Sequence, residues 1–354
     1  MGQRGTPAIA ALIPSRMTPE LLSSRIAFLP KAELHLHLEG SIQAATACAL
    51  AARQGLRITS DEVQQRYACR DFTAFIEAFK WVTSLLLEPD DYALIAQDLA
   101  EHLLTQGVAY AEITLSVGVM LLRKQRPEAN FEAILRATEP FLNRGLRISW
   151  VFDAVRQFGP EQAMRVVDAA ERCASKSIVA FGIGGDELSV AAREFQPAYE
   201  KAAEIGLHRL MHAGELGGAD KIREAIELLG AERIGHGIAA IHDPALMDLL
   251  AHRRIPLEIC PESNLRTGAL ARQLGTDVAG IGQHPLPRLF RHGIPVVLST
   301  DDPAMFHTTL LAEYENAAKM GLREDELLRI VKMAFEHAFF PLAEQHASQD
   351  RTLS

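Results

Sequence analysis

Eight short runs of apolar and β-branched residues recur along the chain, and between them lie longer stretches in which apolar residues return every three or four positions. The runs are AELHLHL (32–38), VAYAEITLS (108–116), LRISWVFDA (146–154), IVAFGIG (178–184), HRLMHAG (208–214), RIGHGI (233–238), PLEICP (256–261) and PVVLST (295–300). Intervening segments such as GPEQAMRVVDAAERCA and DPALMDLLAHR have the spacing of amphipathic helices. Strands that alternate with helices predict an α/β fold with a parallel sheet, and eight such units are the number that closes a (β/α)8 TIM barrel. Continuous apolar strands fit a barrel wall, which is covered on both faces. An open doubly wound sheet is the alternative, but no glycine-rich phosphate turn follows the first strand.

The interval 41–107 is too long for one crossover, so an extra helical insertion is expected after strand one. Within it, DFTAFIEAF places Phe72, Phe75 and Phe79 on one helical face. That face belongs either to an extra helix packed on the barrel or to an apolar lid, because insertions after a strand's C-terminal end land on the catalytic rim. Residues 1–29 are expected to form an N-terminal arm and residues 30–354 a single domain. The apolar piece PAIAALIP (7–14) is bracketed by prolines and too short to span a bilayer, so an arm is preferred to a signal-peptide core behind Arg4.

Composition narrows the class of function. Apolar residues at 48% and charged residues at 23% suit a soluble enzyme that buries its core without disulfides. A formal charge of −9 and the lack of any Lys/Arg-rich block argue against nucleic acid as a partner. The expected partners are a small molecule and water, with no membrane, and nothing in the sequence indicates an oligomeric state. Cys48, Cys69, Cys173 and Cys260 are scattered without CxxC spacing and read as reduced thiols of a cytoplasmic protein.

In a barrel of this kind the chemistry belongs at the C-terminal ends of the strands. His35 and His37 share one face of strand one, so two imidazoles can grip one cation. A third histidine and a carboxylate from distant strands would complete a set suited to Zn²⁺, which binds imidazole at about 2.0–2.1 Å. Fe²⁺, Co²⁺ or Mn²⁺ could occupy the same donors. Glu215, His236 and Asp302 are then left over for acid–base work. A metal with an open position lowers the pKa of bound water to about 7. His236 can orient or deprotonate that water, and Glu215 can donate a proton if burial raises its pKa. Strand four carries no lysine at its end to bridge two metals, and Glu187 is the alternative bridge. One metal ion per chain is expected.

The motifs HLHLEG, GGDE, HAGE, RIGHG and STDDP, in this order on successive strands, resemble the adenosine deaminase family from about residue 29 to beyond residue 310. The resemblance implies a (β/α)8 barrel, one zinc ion and hydrolytic removal of the 6-amino group of an adenine ring as ammonia. By position it implies His35, His37, His212 and Asp301 as metal ligands, with Glu215 protonating ring N1. It implies that His236 activates the water and stabilises developing charge, and that Asp302 orients the water and hydrogen-bonds N7. The Gly185 amide would meet N3, and His37 and Glu39 would face the substrate. Asp302 is alternatively an N-cap for the segment that follows it.

Departures from the family pattern bear on the substrate. Adenosine deaminases usually carry aspartate, for the ribose 5′-hydroxyl, where this chain has Glu39. Adenine deaminases carry glutamate there, but with aspartate before the last His-Gly and a serine-rich turn after strand four, where this chain has Gly235 and GGDE. The expected substrate is therefore a purine nucleoside derivative: adenosine or a 5′-modified adenosine such as 6-amino-6-deoxyfutalosine, whose 5′ side carries an aromatic acid. Arg123, Lys124 or Arg126 would meet that acid or would simply form a solvated helix face. The rival readings are an adenine deaminase, a metal-dependent amidase or phosphoesterase on the same barrel, and a purine-binding regulator. The last has no use for both His236 and Glu215.

Overall fold

The computed structural model describes residues 26–340, so most of the expected arm 1–29 lies outside the described residues. Every predicted run becomes a strand: β1 Lys31–His37, β2 Val108–Leu115, β3 Arg147–Val155, β4 Ile178–Gly184, β5 His208–Ala213, β6 Arg233–His236, β7 Leu257–Ile259 and β8 Val296–Leu298. They form one parallel sheet in chain order. The sheet returns on itself where Asp301 N–H donates to the His35 carbonyl at 3.0 Å and His37 N–H donates to the Asp301 carbonyl at 2.8 Å. The (β/α)8 barrel expected from the strand count is thus the fold.

The two segments singled out as amphipathic form the helices Pro160–Cys173 and Pro244–Arg253. Each starts with proline at its first position, where the missing N–H is no loss, and Asp243 caps the second by accepting Leu246 N–H at 3.0 Å. Ala163, Val166, Val167 and Ala170 make the buried stripe of the first helix, the face that period 3.6 turns toward the strands.

The interval after β1 holds four helices: Ala44–Arg53, Ser60–Tyr67, Phe72–Thr83 and Pro89–Thr105. The last packs on β2 as an ordinary crossover. Phe72–Thr83 instead lies at the rim, where the Phe75 ring meets Phe306 with centroids 5.1 Å apart. At the opposite mouth, residues 337–340 close the barrel. There the Arg233 guanidinium stands 3.9 Å over the Phe339 ring and donates to the His337 carbonyl at 2.8 Å. Arg233 also joins Glu112 and Glu258 in a fully buried charge cluster, with Nε 2.6 Å from Glu258 Oε1. Among the described residues the four cysteines are free, and no helix is long and apolar enough to cross a membrane.

Candidate active site

Alternation along β1 sends His35 and His37 into the barrel, where their rings meet His212 at centroid distances of 4.6 and 5.5 Å. The Nε2 atoms of His35 and His37 both lie 3.3 Å from one atom, Asp301 Oδ1. Behind them, Glu258 Oε2 stands 2.7 Å from His35 Nδ1, and the Ile183 carbonyl stands 3.1 Å from His212 Nδ1. A carboxylate and a carbonyl only accept, so both rings carry a proton on Nδ1; the neutral His212 turns an Nε2 lone pair inward, and His35 can do so once a cation takes the place of its second proton. His35 Nε2 has no hydrogen-bond partner despite being buried. Donor atoms of His35, His212, His236 and Asp301 lie within 4.8 Å of one another, and His37, Asp301 and Asp302 form a second such set.

The electrostatics favour a cation. Burial lowers the pKa of His37 to about 4 and that of His212 well below the usual range, so both imidazoles are neutral at pH 7. Burial acts on His35 in the same sense, yet Asp301 and Glu258 hold its pKa at about 10. The two neutral imidazoles, with the extra proton that Asp301 and Glu258 hold on His35, mark a place where a metal ion would supply the positive charge that the proton supplies now. Asp301 and His236 both take left-handed backbone, φ +65 and +60, which residues of these types adopt mainly where the surroundings enforce it.

Glu215 sits on the loop after β5, and Glu187 holds that loop. The Glu187 carboxylate accepts N–H groups from Gly214, Glu215, Leu216 and Gly217, the last three at 3.2, 2.9 and 2.8 Å. Its oxygens therefore serve the loop and not a second metal. Burial, with Asp301 and Glu187 nearby, raises the Glu215 pKa to about 8. His236 Nε2 lies 3.7 Å from Glu215 Oε2 and 3.8 Å from Asp301 Oδ2. Asp302 precedes the short helix Pro303–Phe306, but its side chain makes no capping bond and Oδ1 has no partner. That removes the capping reading. A Cβ at Gly40 would fall 1.6 Å from this oxygen, so the glycine of HLHLEG makes room for Asp302.

These groups floor a cleft of about 750 Å³, its mouth included. Gly185 lines it with φ +94, and a Cβ there would approach Gln157 Oε1 to 2.5 Å, two separate reasons for glycine. Glu39 is buried with Oε1 accepting Ser116 N–H at 3.1 Å, and Ser116 lines the cleft where Glu39 does not. None of Arg123, Lys124 and Arg126 lines it. Arg123 donates to the Lys80 carbonyl at 3.1 Å and Thr83 Oγ1 at 3.2 Å, fastening the end of the Phe72–Thr83 helix. Lys80 is the cation at the cleft, and Phe72, Phe75 and Phe79 form one wall of it. Sequence reasoning missed Asp153, a buried cleft residue whose Oδ1 has no partner and whose pKa burial and Glu39 push well up. The available signal was a lone carboxylate inside the apolar run WVFDAV.

Residues 30–352 match the family model described as adenosine deaminase. Aminodeoxyfutalosine deaminase of Streptomyces coelicolor is 37% identical over 330 residues, covering 91% of this chain and 83% of that protein. Adenine deaminase of Rhizobium meliloti is 34% identical over 315 residues, covering 88% and 95%. The crystal structure of an adenine deaminase from Arthrobacter aurescens superposes with a TM-score of 0.81 at 28% identity, covering 91% of this chain and 97% of that one.

Proposed function

The chain belongs to the adenosine deaminase family, metal-dependent aminohydrolases of adenine-type substrates, and from that premise we propose that its own substrate is a 5′-modified adenosine of the aminodeoxyfutalosine kind. The carrying observation is the outer half of the cleft. It is walled by Phe72, Phe75 and Phe79 on one side and by Val119, Val155 and Phe158 among the others, with Lys80 at its edge. A free adenine held over the carboxylates would leave those walls uncovered. An aromatic group on the 5′ side would bury roughly 100 Å² against them, worth about 2.5 kcal/mol. Lys80, whose Nζ donates to the exposed Glu77 Oε1 at 2.7 Å, would exchange that partner for an acid on that group.

In this reading His35, His37, His212 and Asp301 hold one Zn²⁺, for which imidazole and carboxylate are ordinary ligands. When bound, such an ion supplies Lewis acidity that makes water a nucleophile near neutral pH. Glu215 delivers a proton to ring N1 as C6 is attacked, and its burial keeps that proton available at pH 7. Asp302, pushed well above the usual carboxylate range by burial and by Asp301, keeps a proton to donate to N7, which only accepts. The Gly185 N–H meets N3. The phenylalanine wall keeps bulk water from the leaving amine.

Glu39, the residue type of adenine deaminases, favours a second reading in which free adenine is the substrate. Both are tested by following loss of the adenine absorbance band with metal-replete protein. The panel is adenine, adenosine, 5′-deoxyadenosine, methylthioadenosine and 6-amino-6-deoxyfutalosine. The proposal expects the last to have the highest kcat/KM. Adenine in first place would establish the second reading, and adenosine in first place would overturn both.

A further inference from the structure

Behind the reacting face, three buried side chains form a hydrogen-bonded line that the steps above do not use. Leu286 N–H meets His284 Nδ1 at 3.1 Å, His284 Nε2 meets Asn264 Oδ1 at 3.2 Å, and Asn264 Nδ2 meets His236 Nδ1 at 3.1 Å. Asn264 comes from the helix Pro261–Arg266 after β7, and His284 from the turn before the helix Leu286–Arg291. Relative exposures of 0% for Asn264, 4% for His284 and 1% for His236 leave bulk water little access to substitute for a missing partner.

The direction of this line is fixed at its far end, because a backbone amide can only donate. His284 Nδ1 must therefore accept, which puts the His284 proton on Nε2. That proton requires an acceptor, so the Asn264 oxygen faces His284 and its NH₂ faces His236. His236 Nδ1 must then accept, and its proton resides on Nε2, pointing at Glu215 and Asp301. The pattern is opposite to that of His35 and His212, whose acceptors hold a proton on Nδ1. Rotating the Asn264 amide would pair donor with donor at His284 unless that ring also shifted its proton onto Nδ1, against Leu286 N–H.

We propose that Asn264 and His284 are positioning residues that lock His236 as the Nε2–H tautomer. His236 then enters the reaction as a hydrogen-bond donor, not as the base that removes a proton from water, and has no Nε2 lone pair to offer a metal. The inference deepens the deaminase reading and depends on it for what His236 acts upon. A donor here would orient and steady the negatively charged oxygen of a nucleophile whose proton has already passed to solvent, as a water pKa lowered to about 7 by a bound metal would allow; the charge released on attack goes to N1, where Glu215 supplies its proton. The reverse tautomer would place two donors face to face in a dry site, a penalty equivalent to roughly 5- to 150-fold in tautomer population.

The test begins with ring-nitrogen NMR of metal-replete, ¹⁵N-histidine-labelled protein without substrate, with His236 assigned by comparison with His236→Gln. The expected spectrum has an unprotonated Nδ1 and a protonated Nε2, and the reverse overturns the proposal. The spectrum is that of the native protein, and no variant needs to be active for it to decide. The result is also independent of which substrate, if any, is turned over, so it separates this inference from the deaminase reading. Asn264→Asp keeps an acceptor for His284 but presents an acceptor to His236. It should invert the His236 tautomer and lower kcat by about 10²-fold with KM nearly unchanged. His284→Gln in the otherwise native chain, which can still donate to Asn264, should retain most of the native kcat. An Asn264→Asp protein with native kcat and native tautomer would refute the lock.

Discussion

Replacing Glu258 by glutamine should weaken metal retention by one to two decades. Glu258 is fully buried on β7, with Oε2 accepting His35 Nδ1–H at 2.7 Å and Oε1 accepting Arg233 Nε–H at 2.6 Å. Glutamine has the same shape but one acceptor, so its NH₂ must face either His35 or Arg233, donor against donor. Loss of a buried bond to a charged group is worth about 1.5–3 kcal/mol. Loss of an outer partner of a ligating histidine is typically worth about 10–100-fold in metal affinity, or roughly 1.4–2.7 kcal/mol. The two routes agree. Competition of the protein with a chromophoric chelator measures the effect, and a titration superimposable on that of the native protein would refute it. The folding side has a sign as well. Burial would raise the Glu258 pKa, but Arg233 and His35 more than reverse this and leave it lowered in the folded protein. Its stabilising contribution is thus present above the unfolded pKa and lost as pH falls through the folded one. The stability difference between native and Glu258→Gln apoproteins, read by urea unfolding, should shrink on acidification below the ordinary glutamate range.

Two further substitutions probe the site directly. His37→Ala should bring bound metal well below one per chain and remove activity in step with it; elemental analysis showing full metal with normal turnover would sink the ligand assignment. Glu215→Gln should leave metal content unchanged while kcat falls about 10²–10⁴-fold, and a loss under about tenfold would mean that the proton comes from elsewhere. Because the acid form is the one required and its pKa is raised to about 8, kcat/KM of the native enzyme should decline as pH rises past that value. A profile that stays flat well above it would count against Glu215 as the acid.

The strands were legible because each is a run of apolar residues between helical spacings, and the histidines of the candidate metal site because two of them interrupt one such run at the period of a strand. The phenylalanine wall was visible as a helical stripe, although its place at the rim needed the fold. Glu258, Glu112 and Asp153 were equally present as single acids inside PLEICP, AEITL and WVFDAV. What the sequence could not say is which way those carboxylates point, since a one-residue change of register turns a side chain from the barrel interior to the helix layer. Asn264 and His284 were hidden for another reason. They lie on a short helix and a turn, and their meeting with His236 depends on packing between segments far apart in the chain. The basic residues after β2 stayed open between two readings because charge in sequence says nothing of reach; none lines the cleft, and Arg123 spends its guanidinium on the neighbouring helix.

A ribosome delivers all eight strands before it delivers Phe339. Until then Glu112 lacks the Phe339 N–H, and Arg233 lacks both the His337 carbonyl and the aromatic ring beneath it. A nascent chain can therefore hold a complete sheet around an unfinished polar centre. We expect the barrel to remain loosely packed during synthesis until the turn after the helix Glu324–Glu336 has emerged, and then to tighten in a single late step. Stalled chains of graded length would report this as an abrupt gain of protease resistance once residues 337–340 clear the exit tunnel, and a gradual rise strand by strand would exclude it.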